Sequence, residues 1–206
     1  MLWIVTAVTL LSVVACGEAF AAQDIPRAAE QYRRDLVRES RAAFGLQVPI
    51  STFAAQLEQE SAFRPDVVSY VGARGIAQFM PATAAWISDA YPYLGPANPL
   101  NPQWAIRAMV RYNRHLWDEV GGLGATDCDR MCYVLGSYNG GARWMKRRAL
   151  MSENPGQCLG ETAEINPGIT EDNQKQNAGY SRRILLDLEP RYLVAGWGPA
   201  SCWVLK

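Results

Sequence analysis

The chain has 206 residues, of which 49% are hydrophobic and 19% charged, and 20 basic residues balance 20 acidic ones. This length suits one globular domain of ordinary core size, and zero net charge argues against a nucleic-acid binder, whose affinity depends on a basic face. His115 is the single histidine, which argues against multi-histidine metal sites and histidine-based catalytic triads.

Residues 2–17 form an uncharged, mostly apolar N-terminal run of 16 residues. A membrane-spanning helix needs about 20 apolar residues, so the run fits the core of a signal peptide better. Cleavage near Ala21, which follows small residues, is the favoured outcome. Acylation of Cys16 in a lipobox-like stretch and retention as a weak membrane anchor are the alternatives. All three predict export to the periplasm or cell envelope.

The remaining cysteines are even in number, as expected for disulfides in an oxidising compartment: Cys128, Cys132, Cys158 and Cys202. Cys128 and Cys132 are spaced as neighbours on one helix face, where a direct bridge is geometrically poor. Each is therefore expected to pair with Cys158 or Cys202. A zinc site is the competing interpretation, which the irregular spacing and the compartment disfavour.

Most of the chain after the leader is predicted to be helical. Residues 27–43 form the first predicted helix, which Gly45 ends. Ser51 is predicted to cap the next helix, and Pro65 to stop it. Pro81 can open a third helix at its first turn.

Between Gln103 and Val120 apolar residues recur about every fourth position, which predicts a long buried helix. Further helices are predicted at 131–138, 142–150 and about 170–188, with Pro190 ending the last. The basic stretch 146–148, with Arg143, is interpreted as a solvated helix face; contact with anionic wall polymer or membrane is the alternative. No alternating apolar pattern of convincing length occurs, so the predicted fold class is mainly α with little or no sheet.

Helix geometry singles out Glu60. At about 100° per residue, Glu60 lies within roughly 20° of Phe53 on the helix circumference, whereas Glu58 lies about 140° away and is predicted to face solvent. A carboxyl on the apolar stripe near a helix C-terminus is poorly solvated and close to the negative end of the dipole. Both effects favour the protonated form that a general acid needs. A structural glutamate is the alternative.

The residues after Glu60 are typical of a cleft rim. Gly72 and Gly75 permit a tight turn and a close backbone approach, and Gln78 and Met80 follow directly.

Three blocks carry a resemblance to a known family: Glu-Ser-x-Phe-x-Pro from Glu60; Ser69 with Gly-Ala-x-Gly-Ile-x-Gln-Phe-Met-Pro-x-Thr from Gly72; and Tyr-Asn-x-Gly from Tyr138. In this order they resemble the lytic transglycosylases of the soluble-lytic-transglycosylase (SLT) type, over about residues 50–192. The resemblance implies a lysozyme-like, mainly helical fold. It also implies cleavage of the β-1,4 bond between N-acetylmuramic acid and N-acetylglucosamine, with a 1,6-anhydromuramic product.

The resemblance makes Glu60 the single catalytic acid and base, and it implies substrate contacts at Ser69, Gln78, Met80, Tyr138 and Asn139. Ser69 would touch the muramoyl N-acetyl group, and Tyr138 would hydrogen-bond near Glu60. Plain core packing is the alternative for Met80, and a turn role is the alternative for Asn139.

One late motif departs from the family pattern. The family usually has Glu-Thr-x-x-Tyr, whereas this chain has Gln176-Asn177-Ala178-Gly179-Tyr180. Gln176 can hydrogen-bond sugar but cannot carry charge. A second carboxylate is not expected, because Asp66 is interpreted as a surface turn residue, and a one-carboxylate mechanism fits best.

The sequence therefore predicts four segments: a signal peptide or membrane anchor (1–21), a helical lead-in (22–49), an SLT-like catalytic domain (50–192) and a disulfide-tied tail (193–206). The expected partners are peptidoglycan glycan strands and no nucleic acid; the N-terminal segment is the main candidate for membrane contact, and a monomer is expected. No cofactor or metal is implied. Phage lysis and local wall opening are the expected settings; a hydrolytic muramidase and a non-catalytic glycan-binding or virion structural module are the alternatives.

Overall fold

A computed structural model describes residues 25–203 of the chain. The predictions about residues 1–21, including the apolar run 2–17 and Cys16, lie outside the described residues. Within residues 25–203, no helix is both long enough and apolar enough to cross a membrane.

The described part of the chain is built from α-helices joined by short turns. Their bounds are α1 (Glu30–Phe44), α2 (Ile50–Ser61), α3 (Pro81–Ala90), α4 (Pro102–Val120), α5 (Asp127–Gly140), α6 (Ala142–Met151), α7 (Glu171–Arg182) and α8 (Glu189–Val194). A π-helical segment, Arg183–Leu188, joins α7 to α8. Between residues 25 and 203 the only extended pairing consists of two isolated bridges, Val68 with Arg74 and Arg74 with Phe79. The predicted fold class, mainly α with little or no sheet, is confirmed.

Helix α4 is the core of the fold, as its apolar periodicity predicts. Asn101 caps its start by accepting a hydrogen bond from the Trp104 amide at 3.0 Å, and Pro102 occupies the first turn, where no amide hydrogen is needed. One face of α4 packs against α1 and the other against α5. Side chains such as Leu116 are fully buried there, and each stabilises the fold by about 2 kcal/mol.

The start of α2 differs from the prediction. The helix begins at Ile50, and Ser51 is not its cap. The Ser51 hydroxyl instead donates to the carbonyl of Gly198 at 2.7 Å, and its amide donates to the carbonyl of Pro199 at 3.0 Å. The C-terminal tail therefore satisfies the first turn of α2, a role that no local sequence pattern reveals.

The predicted end of the last helix at Pro190 is wrong. The chain continues from α7 through the π-helical segment Arg183–Leu188 into α8, and Pro190 lies in the first turn of α8. A proline is tolerated at that position because the first amides of a helix have no intrahelical acceptor.

Two disulfides join Cys128 to Cys202 and Cys132 to Cys158. Each of the two helical cysteines thus reaches one of the two later ones, as expected. All four thiols are consumed, which removes the zinc alternative. The Cys128–Cys202 bond ties the C-terminal tail to the start of α5.

Arg148 is not part of a solvated helix face, contrary to the prediction. Its side chain is fully buried between α6 and α7. The guanidinium donates to the carbonyl of Ile165 at 2.9 Å, to the Gln174 amide oxygen at 2.5 Å, and to Asn177. Burial lowers the pKa of Arg148, and the buried guanidinium N–H groups donate to oxygen acceptors of the protein instead of water.

Candidate active site

A cleft of about 750 Å³ lies over the C-terminal end of α2. It is lined by the end of α2, the loop of residues 62–80 that precedes α3 (the cleft loop), the end of α5, and α7. All seven residues that the sequence places in the site line this cleft: Glu60, Ser69, Gln78, Met80, Tyr138, Asn139 and Gln176. The fold therefore brings together residues that span more than half of the chain.

Glu60 lies in the last turn of α2, and its position is secured by the residues that follow it. Ala62 (φ 51°) and Phe63 (φ 61°) both adopt left-handed backbone conformations, which end the helix before Pro65, where the sequence placed the stop. The buried Ser61 hydroxyl donates to the carbonyl of Ile76 at 2.8 Å and accepts from the Arg64 amide at 3.1 Å. Ser61 thus joins the end of α2 to the cleft loop by hydrogen bonds.

The Glu60 side chain is only partly exposed to solvent, as its place on the apolar stripe predicts. Burial raises its pKa from 4.5 to about 8. The Tyr180 hydroxyl donates to Glu60 Oε1 at 2.5 Å and opposes part of that rise, because a hydrogen bond favours the carboxylate. The carboxyl therefore holds its proton near neutral pH.

Tyr180 is the site residue that the sequence reasoning missed. It ends the stretch that departs from the family's Glu-Thr-x-x-Tyr pattern, and its tyrosine was the available signal. Burial, followed by the neighbouring Glu60 charge, raises the pKa of Tyr180 well above its usual value of 10.0, so the phenol stays protonated and able to donate.

Glu58 does not face solvent, contrary to the helix-wheel prediction. Its two carboxylate oxygens accept from Arg191 Nη1 at 2.8 Å and from the Tyr192 hydroxyl at 2.5 Å. Helix α8 covers this face of α2, and 13% of the Glu58 side chain remains exposed. Asp66 is exposed and does not line the cleft. Among the cleft-lining residues of the described chain, Glu60 is the only carboxylate.

The cleft loop requires its glycines. Gly75 has a φ of 77°, and a Cβ there would lie 1.7 Å from the carbonyl oxygen of Pro99. Gln78 adopts a left-handed conformation (φ 48°), and its amide nitrogen donates to the carbonyls of Gly75 at 2.8 Å and Val67 at 3.2 Å. The Gln78 side chain braces the loop with its nitrogen, which leaves Oε1 as its acceptor for a ligand.

Ser69 and Met80 contribute one polar and one apolar group to the same wall. Ser69 Oγ accepts from the Ala73 amide at 3.0 Å, so its hydroxyl hydrogen is available to donate. Met80 is 43% exposed, so the core-packing alternative does not describe it.

Tyr138 lines the cleft but does not bond to Glu60. Its hydroxyl donates to the carbonyl of Ala77 at 2.8 Å, while its ring packs 5.8 Å from that of Phe79. Burial and the Glu60 charge raise the pKa of Tyr138 well above 10.0. Tyr138 therefore connects α5 to the cleft loop rather than to the acid itself.

Helix α7 supplies the opposite wall, which is polar. Asn177 Nδ2 donates to Asn139 Oδ1 at 3.1 Å, so the Asn139 side chain joins α5 to α7 while still lining the cleft. Gln176 lies beside it. Lys175 and Arg183 also line the cleft and are exposed to solvent.

The described part of the chain has no group of three or more histidine, cysteine, aspartate or glutamate side chains arranged to hold a metal ion.

Comparison with known proteins identifies a family. The family model "Transglycosylase SLT domain" matches residues 39–156. The soluble lytic murein transglycosylases of Escherichia coli K12 and of Escherichia coli O157:H7 are each 34% identical to this chain over 80 residues. That alignment covers 37% of this chain and 12% of either relative, so the chain spans a small part of the length of these curated relatives.

Solved structures share the fold. The 70 kDa soluble lytic transglycosylase from Escherichia coli superposes with a TM-score of 0.55 at 23% identity, covering 80% of this chain and 25% of that one. An inactive mutant of the lytic transglycosylase Slt from Pseudomonas aeruginosa gives 0.59 at 21% identity, covering 82% and 25%. A 70-kDa soluble lytic transglycosylase in complex with bulgecin A gives 0.60 at 22% identity, covering 86% and 26%.

These structures confirm the lysozyme-like helical fold that the resemblance implied. The family model covers more than half of the chain, and its span contains Glu60 and the cleft loop. The chain therefore belongs to the transglycosylase SLT domain family.

Proposed function

We propose that this protein is a peptidoglycan lytic transglycosylase that uses Glu60 as both acid and base. One observation carries the proposal: among the described residues that line the cleft there is a single carboxyl group, and burial raises its pKa enough for it to hold a proton at neutral pH. Family membership supports the same reaction.

The first step is protonation of the leaving oxygen. Protonated Glu60 donates to the glycosidic oxygen between N-acetylmuramic acid and N-acetylglucosamine as the C1–O bond breaks. The carbonyl oxygen of the muramoyl N-acetyl group attacks C1 and stabilises the positive charge. Because Tyr180 occupies Oε1, we assign the transferred proton to Oε2.

The second step closes the 1,6-anhydro ring. The Glu60 carboxylate, stabilised by Tyr180, takes the proton of the C6 hydroxyl of the same sugar as O6 attacks C1 and displaces the acetamido oxygen. The acid is regenerated, and no water is consumed. A carboxyl with a pKa of about 8 suits both roles, because it gives up its proton and regains it at small cost near neutral pH.

The remaining cleft residues bind the glycan in this proposal. Ser69 donates its hydroxyl to the muramoyl N-acetyl group, Gln78 and Gln176 hydrogen-bond sugar, and Met80 packs against a sugar face. Asn139 supports the corner between α5 and α7 and contacts the glycan, and Tyr138 shapes the cleft floor.

A hydrolytic muramidase on the same fold is the second candidate. Retaining and inverting glycosidases place a second carboxylate at a defined distance from the acid. Within the described cleft no such partner accompanies Glu60, because Glu58 is paired with Arg191 and Asp66 lies outside the cleft. The anhydro reaction needs none, because the substrate supplies the nucleophile.

Replacement of the acid tests the proposal. Glu60→Gln keeps the shape of the side chain and removes the proton, so clearing of purified peptidoglycan is expected to fall by at least about 100-fold. The control is Asp66→Asn, which removes an exposed acid outside the cleft and is expected to clear walls like the natural chain. Unchanged clearing in Glu60→Gln would instead indicate a non-catalytic glycan-binding or virion structural module.

The proposed setting is the cell envelope, where peptidoglycan is found. Two disulfides suit an oxidising compartment and therefore support export. In this proposal a monomer acts on glycan strands, either in phage lysis or in local opening of the wall. The N-terminal segment supplies any membrane contact.

A further inference from the structure

Two buried amide side chains lie behind Tyr180. Gln56 is one turn before Glu60 on α2, Asn113 is on α4, and neither is exposed. Asn113 Nδ2 donates to Gln56 Oε1 at 2.6 Å, and Gln56 Nε2 donates to the Tyr180 hydroxyl at 3.4 Å. Together with the hydrogen bond from Tyr180 to Glu60, these contacts form a continuous series of hydrogen bonds from α4 to the acid.

Each hydrogen bond of this series is donated in the direction of the carboxyl. Because Asn113 occupies the carbonyl oxygen of Gln56, the amide nitrogen of Gln56 is the group turned to Tyr180. A phenol has a single hydrogen, so a hydroxyl that accepts on one side donates on the other, where Glu60 Oε1 lies. Each donation also polarises the next.

We propose that Gln56 and Asn113 are positioning residues that orient the Tyr180 hydroxyl toward Glu60 and thereby set the proton affinity of that carboxyl. The inference rests on the proposed function, since it concerns the acid of that reaction. Burying two amides costs free energy that apolar side chains would not cost. Within residues 25–203, Asn113 Oδ1 has no hydrogen-bond partner, so the pair is not a fully satisfied structural unit.

The surroundings of Glu60 leave Tyr180 as the route for this effect. Tyr138 from α5 is the other phenol beside the acid, and its hydroxyl is committed to Ala77. The cations of the cleft wall, Lys175 on α7 and Arg183 at the start of the π-helical segment, are exposed to solvent. Tyr70 and Tyr112 are further phenols that line the cleft, and the rest of its described lining holds no acidic or basic side chain.

The test is a direct titration of Glu60 in the full chain carrying ¹³C-labelled glutamate. The side-chain carboxyl carbon of Glu60 is followed by NMR across the pH range and identified by its absence in Glu60→Gln. The main variant is the double substitution Gln56→Met with Asn113→Leu, which replaces both amides with apolar side chains of similar size and leaves no amide unpaired.

We expect the Glu60 pKa to rise by roughly 0.5 unit in the double variant, because a less well oriented phenol stabilises the carboxylate less. Tyr180→Phe is expected to raise the pKa more, by about one unit. The effect of the double variant is smaller because the contact from Gln56 Nε2 to the Tyr180 hydroxyl, at 3.4 Å, is the weakest of the series. The matched control is Ser181→Ala, which removes a buried hydrogen bond to the Cys132 carbonyl from the residue next to Tyr180. It is expected to leave the Glu60 pKa unchanged.

An unchanged or lowered Glu60 pKa in the folded double variant overturns the inference. If that variant does not fold, Asn113→Leu alone frees the Gln56 amide and is expected to give a smaller rise; no rise there overturns the inference equally. The titration requires no activity. Wall clearing by Glu60→Gln would therefore overturn the proposed function without altering the titration result.

Discussion

Removal of the Tyr180 hydroxyl isolates one contact of the acid. Tyr180→Phe keeps the ring on α7 and deletes the donor that lies 2.5 Å from Glu60 Oε1. Burial of the carboxyl is unchanged, so the variant changes one of the two influences on its pKa and leaves the larger one in place.

The sign and size of the effect follow from that contact. The hydrogen bond favours the carboxylate, so its loss raises the Glu60 pKa above about 8. A hydrogen bond to a charged group contributes about 1.5–3 kcal/mol, and one pKa unit corresponds to about 1.4 kcal/mol. Tyr180 also hydrogen-bonds to the protonated form of Glu60, although more weakly, so only part of this energy appears in the pKa. We therefore expect the Glu60 pKa to rise by about one unit in Tyr180→Phe. The same loss destabilises the carboxylate formed during bond cleavage and is expected to slow the reaction roughly 10-fold.

The assay is the rate of peptidoglycan clearing as a function of pH. In the proposed mechanism the acid form of Glu60 starts the reaction, so activity is expected to fall as pH rises through its pKa, near 8 in the natural chain. In Tyr180→Phe this alkaline fall is expected to move to about pH 9, with a lower plateau. A fall that stays in place or moves to lower pH in the folded variant refutes the assigned role of the contact.

Three further predictions concern stability. Because folding raises the Glu60 pKa from 4.5 to about 8, the natural chain loses part of its free energy of unfolding as pH rises from about 4.5 to about 8. Glu60→Gln is therefore expected to be about 2–4 kcal/mol more stable than the natural chain at pH 9 and no more stable at pH 4. Gly75→Ala is expected to cost about 2–4 kcal/mol through backbone strain and a clash, whereas Gly122→Ala, with open space around it, is expected to cost under about 1 kcal/mol. Arg148→Met is expected to cost about 3–5 kcal/mol because several buried acceptors lose their donor, while exposed Arg147→Met changes little. Urea unfolding measures all three. Equal stability of Glu60→Gln and the natural chain at pH 9, or of the two variants in either of the other pairs, would contradict the corresponding prediction.

The parts of the site that sequence predicted are local in the chain. Glu60 could be placed on the apolar stripe because seven residues separate it from Phe53 on one helix, and helix geometry relates the two. The close backbone approach at Gly75 could be anticipated because the sequence places two glycines three residues apart just before Gln78. Six of the seven predicted site residues come from the three motif blocks and Gln176 from the late motif, and all seven line one cleft.

The parts that sequence did not predict depend on contacts between distant segments. Tyr180 meets Glu60 across 120 residues, and Arg191 meets Glu58 across 133. Helix periodicity describes which side chains share a face but not which later helix covers that face, so Glu58 was wrongly assigned to solvent. Arg148 was misplaced for the same reason, since its acceptors belong to α7 and the loop before it.

The product of the natural protein tests the central claim most directly. Purified peptidoglycan is digested and the soluble muropeptides are weighed by mass spectrometry. The account predicts muramic ends in the 1,6-anhydro form, each lighter by one water molecule than the hydrolytic product, with none formed by Glu60→Gln. Reducing-end muramic products without the anhydro form would contradict it and establish a hydrolytic muramidase on this fold.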